Sequence, residues 1–299
     1  MSGIGAQTNR MESLQDKIAV VVGGSRGAGR GIALALGDAG ATVYVAARTS
    51  RGGPKPSDNA PGTVEDTAEG VTARGGCGIP VCADVGDEAQ AAALFCRIER
   101  EQGRLDVLAN AAWGVNVMPV WSEPFWDLDP DFWRATLDTL SVCWLSSVHA
   151  VRMMSKNGGG LIVHVTDNFY PDPSQHREQI LWDLGHECLN RLVKSMSMQV
   201  EKRKIAVVGL NPGFMRTERV LMSMTSQALK KQFRFDLSES PEYIGRAVAA
   251  LAADPEAIKN NGDLLWVGDL ARQYGFTDVD GRYIPRFDPN APLGGWPCE

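Results

Sequence analysis

Seven short apolar runs rich in β-branched residues alternate with stretches of helical apolar spacing between about residues 17 and 267. This alternation is typical of a parallel sheet covered by helices on both faces. The predicted strands are Ile18–Val22, Thr42–Ala46, Ile79–Val81, Leu105–Ala109, Leu161–Val165, Ile205–Leu210 and Leu264–Val267. The predicted helices lie near 28–39, 63–74, 87–102, 130–155, 179–202 and 241–253. We therefore expect a single doubly wound α/β domain.

The same pattern divides the chain into a loose N-terminal arm over residues 1–14, one domain over 15–270 and a C-terminal tail over 271–299. Residues 49–62 are rich in Gly and Pro and are predicted to form an inserted loop. Residues 214–238 lie between a strand and the next helix and are predicted to form a lid.

Composition narrows the functional classes. The 299 residues are 44% hydrophobic and 22% charged, an ordinary globular balance, and the net charge of −6 argues against a general nucleic-acid-binding surface. No apolar run reaches the roughly 18 residues of a membrane span, and the N-terminus lacks the apolar segment of a secretory signal. The six cysteines show no metal-ligand spacing, so we expect no bound metal. We expect most of them to be buried, reduced cysteines of a cytoplasmic protein.

A glycine-rich turn follows the first predicted strand. Gly23, Gly27 and Gly29 have the spacing G-x-x-x-G-x-G, with Ser25 and Arg26 between them. Glycine allows positive φ and a close approach of the backbone to a pyrophosphate, whose charge the N-terminus of the next helix attracts. In this strand–turn–helix context the motif predicts a dinucleotide site.

The end of the second strand indicates which dinucleotide is bound. An acidic residue there would bind the ribose 2′-OH of NAD and repel a 2′-phosphate. This chain has Ala47 and then Arg48 at that point. Arg48 and Arg26 can converge on a 2′-phosphate, so the predicted cofactor is NADP(H).

With these motifs the chain resembles the short-chain dehydrogenase/reductase family over about residues 15–270. The resemblance implies a Rossmann fold, a bound nicotinamide and a homodimer or homotetramer. It also implies further cofactor contacts where the family has an Asp-Val pair, an Asn after strand four and a Pro-Gly-x-x-x-Thr loop after strand six. Those positions are Asp84, Val85, Asn110, Ala111, Pro212, Gly213 and Thr217.

The family commonly pairs through the two long helices that flank the crevice, here near 130–155 and 179–202. Both stretches carry apolar residues at helical spacing, so we expect them to form the subunit interface. These residues include Leu140, Trp144, Val148, Leu189 and Leu192.

The catalytic positions depart from the family. Its Tyr-x-x-x-Lys pair, in which Tyr donates a proton and Lys lowers the pKa of that Tyr and holds the ribose, matches Trp182 and His186. The family's catalytic Ser matches Asp167, which follows Thr166.

Two further family positions are also changed. The family's helix Asn falls at Thr139 or Leu140, and a family glycine after strand four is Trp113. An indole lacks a useful acidic proton, so the family's proton donor is missing from its expected place.

A carboxylate at Asp167 would repel a developing alkoxide, favour a cationic substrate such as a protonated imine, or act as an acid or base. His186 could bind the ribose and form an acid–base couple with Asp167. His176 and Tyr170 are further candidate proton donors.

Six tryptophans come from segments that border the crevice in this family. Trp113 and Trp182 would lie nearest the nicotinamide, which indicates a flat or cationic small-molecule substrate. We interpret Trp133 and Trp144 as aromatic core or dimer-interface residues. The six are Trp113, Trp121, Trp126, Trp133, Trp144 and Trp182.

The leading hypothesis is an atypical NADP(H)-dependent oxidoreductase that transfers hydride to a C=N or C=O group without the usual Tyr. Its candidate catalytic residues are Asp167, His186, Trp182 and Thr166. An alternative is a non-redox cyclase, dehydratase or isomerase in which Asp167 and His186 act as acid and base and NADP is retained structurally. A third is an NADPH sensor or partner subunit without catalysis.

Overall fold

A computed structural model describes residues 13–53, 56, 59–113, 124–167, 180–232 and 235–286. All seven predicted strands are present and form one parallel sheet in the order β3-β2-β1-β4-β5-β6-β7. The strands are β1 Ile18–Val22, β2 Thr42–Ala47, β3 Cys77–Cys82, β4 Val107–Asn110, β5 Gly160–Val165, β6 Ile205–Asn211 and β7 Leu264–Trp266. Because β1 pairs with both β2 and β4, the strand order reverses there and opens a crevice at the carboxyl ends of the strands.

The six predicted helices are also present, and the described residues contain three further short α-helices that were not predicted. Several helices begin at an N-cap residue whose side chain accepts a hydrogen bond from a free backbone N–H. Thr63 accepts from Asp66 N, Asp87 from Gln90 N and Asp129 from Asp131 N. The helices are α1 Gly27–Asp38, α2 Val64–Ala73, α3 Glu88–Gln102, α4 Pro130–Met154, α5 Ile180–Val200, α6 Glu218–Ser223, α7 Gln227–Gln232, α8 Pro241–Ala253 and α9 Val267–Tyr274.

One buried apolar cluster lies on each face of the sheet, as expected when helices cover both sides. On one face α1 crosses α8 with the two backbones in direct contact. A Cβ on Gly31 would lie 1.8 Å from Pro241 O, and one on Gly245 would lie 2.3 Å from Gly31 O. Because both positions are glycine, α1 and α8 can pack this closely. This packing holds the N-terminus of α1 at the crevice.

Two expectations about burial are wrong. Of the described cysteines Cys143 is buried, whereas Cys77, Cys82 and Cys96 are exposed, because the first two lie on the edge strand β3 and the third on an outer position of α3. Leu189, expected at a subunit interface, is buried in the core.

The structure also bears on the interpretation of two tryptophans as core or dimer-interface residues. Trp133 and Trp144 are exposed on α4 and are not part of the core.

Within the described ranges, no helix is long and apolar enough to span a membrane.

The segment predicted as a lid contains α6 and α7, and a bridge between Met215 and Glu239 closes its base. Its action as a lid stays a prediction. The described part of the predicted tail, residues 271–286, completes α9 and then packs back on the domain through the buried side chains of Phe276, Asp278 and Ile284.

Candidate cofactor cleft and catalytic cluster

A cleft of about 670 Å³ lies at the carboxyl ends of the central strands. It combines the turn after β1, the ends of β2 and β3, the start of the loop after β4, one face of α4 and the beginning of α6. Predicted cofactor residues that line it are Gly23, Ser25, Arg26, Gly27, Arg48, Asp84, Val85, Ala111 and Thr217. The sequence motifs thus come together in one place.

The glycine turn has the geometry that its spacing predicts. Gly23 has a φ of 81° and Gly27 a φ of 54°, both in the region that favours glycine. A Cβ on Gly23 would lie 2.5 Å from Ala112 N, and one on Gly29 would lie 2.2 Å from Gly23 O. Gly29 therefore serves the packing of α1 on the turn, while Gly23 and Gly27 shape the cleft floor.

The N-terminus of α1 binds a carboxylate that sequence reasoning missed. The backbone N–H of Gly27 donates to Glu218 Oε2 at 2.7 Å, and Arg30 Nη1 lies 3.8 Å from Glu218 Oε1. Glu218 also lines the cleft. Nothing in the local sequence around Thr217 signals this contact, because the two segments meet only through the fold.

The two arginines predicted to bind a 2′-phosphate both line the cleft, but each has a different partner. Arg26 Nη2 donates to Gly62 O at 3.1 Å, which ties the inserted loop to the glycine turn. Arg48 Nη1 lies 4.0 Å from Asp84 Oδ2, and both side chains remain substantially exposed. Their convergence on one phosphate stays a prediction.

Asn110 holds α4 against β4 and β5. Its Oδ1 accepts from Ser146 Oγ at 2.8 Å, and its Nδ2 lies 3.4 Å from His164 Nδ1. His164 also lies 3.4 Å from Ser147 Oγ, and burial lowers its pKa to about 4. Asn110 is therefore a buried support of the cleft, and the buried His164 has a polar neighbour at each ring nitrogen.

The four candidate catalytic residues form one cluster. Trp182 Nε1 donates to Asp167 Oδ2 at 3.2 Å, and the backbone N–H of Asp167 donates to His186 Nδ1 at 3.0 Å. Thr166 Oγ1 donates to Asn190 Oδ1 at 2.8 Å and lies 3.5 Å from His186 Nδ1. The expected couple between Asp167 and His186 is thus corrected: the contact uses the main chain of Asp167, and its carboxylate binds the indole.

Trp113 connects this cluster to the cleft. It lines the cleft, and its ring stacks on that of His186 with centroids 4.3 Å apart and planes at 1°. A Cβ on Gly185 would lie 3.0 Å from Trp113 Cη2, so a glycine in α5 makes room for the indole. His186 is buried beneath Trp113 and is not among the described cleft-lining residues, and its contact with the cofactor stays a prediction.

The loop after β6 contacts two buried acidic residues, Glu239 and, in the tail, Asp278. Pro212 and Gly213 are half-buried, and the backbone of Gly213 lowers the pKa of the buried Glu239 carboxyl by less than burial raises it. Burial raises the pKa of Glu239 to about 8. Arg216 Nη2 lies 3.1 Å from Asp278 Oδ2, and that carboxylate also accepts from Ser240 N at 2.9 Å.

The remaining candidates are separated by the structure. Of the two positions that could match the family's helix Asn, Thr139 lines the cleft and Leu140 does not. Tyr170, His176 and Trp121 lie outside the described residues.

The cleft residues fit a dinucleotide. Glycines leave room at its floor, α1 offers an N–H that already binds an anionic group, and a cation stands at the Arg48 end. At the opposite end, the buried Nε1 of Trp113 has no hydrogen-bond partner among the described residues. No group of three or more metal-ligating side chains occurs in the described segments.

Comparison with known proteins defines the class. The sequence profile described as short chain dehydrogenase matches residues 17–228, and the chain belongs to this family. It is 36% identical over 282 residues to "Dehydrogenase/reductase SDR family member 1" of Mus musculus, covering 91% of this chain and 86% of that protein.

Two further relatives extend the comparison. "NADPH-dependent reductase BacG" of Bacillus subtilis is 27% identical over 209 residues, which cover 69% of this chain and 74% of that protein. A short chain dehydrogenase structure from Mycobacterium thermoresistibile shares the fold, with a TM-score of 0.76, 21% identity and 95% of each chain covered.

Proposed function

We propose that this protein is an NADP(H)-dependent reductase that transfers hydride to a C=N group, and secondarily to a C=O group, without a catalytic Tyr. The observation that carries the proposal is the hydrogen bond from Trp182 Nε1 to Asp167 Oδ2, 3.2 Å long. It pairs a carboxylate with an indole at the two positions where the family resemblance predicts a hydroxyl and a phenol. A negative charge at this point suits a cation better than a developing alkoxide.

The cofactor half of the proposal rests on the cleft. The absence of an acid at the end of β2 and the presence of Arg48 support a 2′-phosphate. The related reductase of Bacillus subtilis is named for NADPH, which agrees with this choice. When bound, the nicotinamide supplies the hydride.

The chain's own residues then hold and polarise the acceptor. Trp113 and Trp182 have ring centroids 5.1 Å apart at 55°, an aromatic corner that suits a flat cation. The Asp167 carboxylate beside this corner stabilises a protonated imine by charge. Since that substrate already carries its proton on nitrogen, hydride addition at carbon yields a neutral amine and needs no proton donor in the same step.

Two measurements test this function. Quenching of tryptophan fluorescence by NADPH and NADH should show at least about tenfold tighter binding of NADPH, or about 1.4 kcal/mol. A panel of flat cyclic imines and ketones of matched shape should then show NADPH oxidation with one amine formed per NADPH, faster than any ketone. Preference for NADH would contradict the cofactor, and preference for the ketone would contradict the chemistry.

The contact between Asp167 and His186 gives the non-redox alternative its one supporting observation. In a neutral ring whose Nδ1 accepts a hydrogen bond, the proton lies on Nε2, which could then act as an acid. Product formation without any NADPH oxidation would favour this second function.

We further propose that the protein is a homodimer or homotetramer. Trp133, Leu137 and Trp144 are exposed on α4, and Ile180 and Leu184 are exposed on α5. Burial of such large apolar side chains stabilises subunit contacts. Light scattering should report an oligomer at micromolar concentration, and Trp144→Glu should shift it toward monomer, whereas Phe125→Glu outside these helices should not. A wild-type monomer would refute the proposal.

A further inference from the structure

The N-terminus of α1 draws its counter-charge from a distant part of the chain. Arg26 at the helix start makes no capping hydrogen bond through its side chain, and the first turn contains no acidic residue. The Glu218 carboxylate, 191 residues further along, accepts the Gly27 N–H at 2.7 Å. A helix N-terminus favours an anion there, so this contact stabilises α1 and holds Glu218 in the cleft.

A phosphate group requires the same position. Gly27 belongs to the glycine turn of the proposed dinucleotide site, and Glu218 lines the cleft together with it. Carboxylate and phosphate oxygens both accept charge-assisted hydrogen bonds from such backbone N–H groups. One N–H donor cannot serve both anions well, and two negative charges side by side repel each other.

We propose that Glu218 is an internal competitor of the cofactor's pyrophosphate, which must displace this carboxylate from Gly27 in order to bind. The inference rests on the proposed dinucleotide function and adds a residue that sets the affinity of the same site.

The surroundings of Glu218 allow this displacement. It is the first residue of α6, a six-residue helix in which no residue is buried, and Leu221 within it is exposed. By contrast, Arg216 just before it is fixed by the buried carboxylate of Asp278 at 3.1 Å. The chain can therefore move at Thr217 while the loop from Pro212 to Arg216 keeps its place.

Calorimetry can measure the affinity of wild type and Glu218→Gln for two nucleotides. The comparison separates competition with the pyrophosphate from a general effect of the lost charge. The variant keeps the side-chain size but lacks the charge. We expect it to bind 2′-phospho-ADP-ribose, which contains the pyrophosphate, at least about tenfold more tightly than wild type. We expect 2′-AMP, which has no pyrophosphate, to bind both proteins within about twofold.

Glu242→Gln is the matched control. It removes the same charge from the first turn of α8, the helix that packs on α1, but its side chain pairs with Arg74 and is not among the cleft-lining residues. The control should leave both affinities unchanged.

A second readout tests the contact without any ligand. Loss of a carboxylate from the α1 N-terminus should lower the melting temperature of Glu218→Gln, and inorganic pyrophosphate should restore it.

Each result decides the matter. Equal affinity of wild type and Glu218→Gln for 2′-phospho-ADP-ribose overturns the competitor and leaves the proposed function standing. An equal gain for both nucleotides, or an equal gain in Glu242→Gln, overturns it as well. If neither protein binds 2′-phospho-ADP-ribose, the dinucleotide function fails, and the inference fails with it.

Discussion

The rings of Trp113 and His186 stack face to face, with their centroids 4.3 Å apart and their planes at 1° to each other. The family resemblance predicts a glycine at the first position and a lysine at the second. The indole covers the imidazole, so a change at either position affects the packing of the other. We propose on this basis that the two positions changed together and that the site serves a reaction other than the usual one.

Restoring the family's pair should accordingly fail to restore its chemistry. In Trp182→Tyr/His186→Lys the lysine loses the stack with Trp113, and the tyrosine replaces the indole that binds Asp167. We expect no gain in ketone reduction and a loss of imine reduction of at least about tenfold, typical of a misplaced catalytic group. Steady-state rates with the matched imine and ketone measure both. Trp133→Tyr, an exposed aromatic exchange, is the control, and the appearance of ketone reduction in the double variant would show simple decay.

Removing the charge of Asp167 should slow turnover and spare cofactor binding. Asn keeps an oxygen that can accept from Trp182 Nε1, so the geometry of the pair is preserved. We expect single-turnover reduction of the best imine to fall at least about a hundredfold, while NADPH affinity stays within about threefold. Glu201→Gln, an exposed change just after the end of α5, should have no effect. A rate within about fivefold of wild type would remove Asp167 from the mechanism.

Arg48 should determine cofactor choice. Its guanidinium lies at the cleft edge, 4.0 Å from Asp84 and exposed enough to meet a phosphate. Arg48→Ala should weaken NADPH by about tenfold and leave NADH within about twofold, as fluorescence titration can measure. Arg97→Ala, on α3 away from the cleft, is the comparison. Equal loss for both dinucleotides would mean that Arg48 does not read the 2′-phosphate.

Glu239 should make stability fall toward alkaline pH. Burial raises its pKa from 4.5 to about 8, so the folded protein keeps a proton that the unfolded chain releases. The free energy of unfolding should therefore decrease as pH rises from 4.5 to about 8, by up to about 1.4 kcal/mol per pH unit from this group. Glu239→Gln should lack this decrease in chemical denaturation across that range. The exposed change Glu256→Gln should follow wild type, and parallel curves for all three proteins would contradict the assignment.

Local patterns in the sequence predict most of the scaffold, but they predict few of the contacts between residues in the site. Buried strands are visible as β-branched runs, and Gly23 and Gly27 are visible because a phosphate turn needs them at fixed spacing. The contact between Glu218 and Gly27 depends on the path of the chain after β6, which no local pattern encodes. The fit of Trp113 over Gly185 is likewise a pairing of large and small residues from separate elements.

Polar partners were harder still to predict. Asp167 and His186 were expected to meet through their side chains, yet the main chain of Asp167 makes the contact. The short helices α6 and α9 were missed because each spans only two turns or so, too few for a helical period to show.

The ion pair between Arg216 and Asp278 joins two parts of the sequence that a family comparison treats differently. The family match ends at residue 228, while Asp278 lies 50 residues beyond it with a fully buried side chain. The two residues form one structural unit, and a chimera that takes its last strand and tail from another protein would break this pair unless an acidic residue stands at the same place. Anyone who recombines such proteins should therefore exchange the loop after β6 and the residues around Asp278 together.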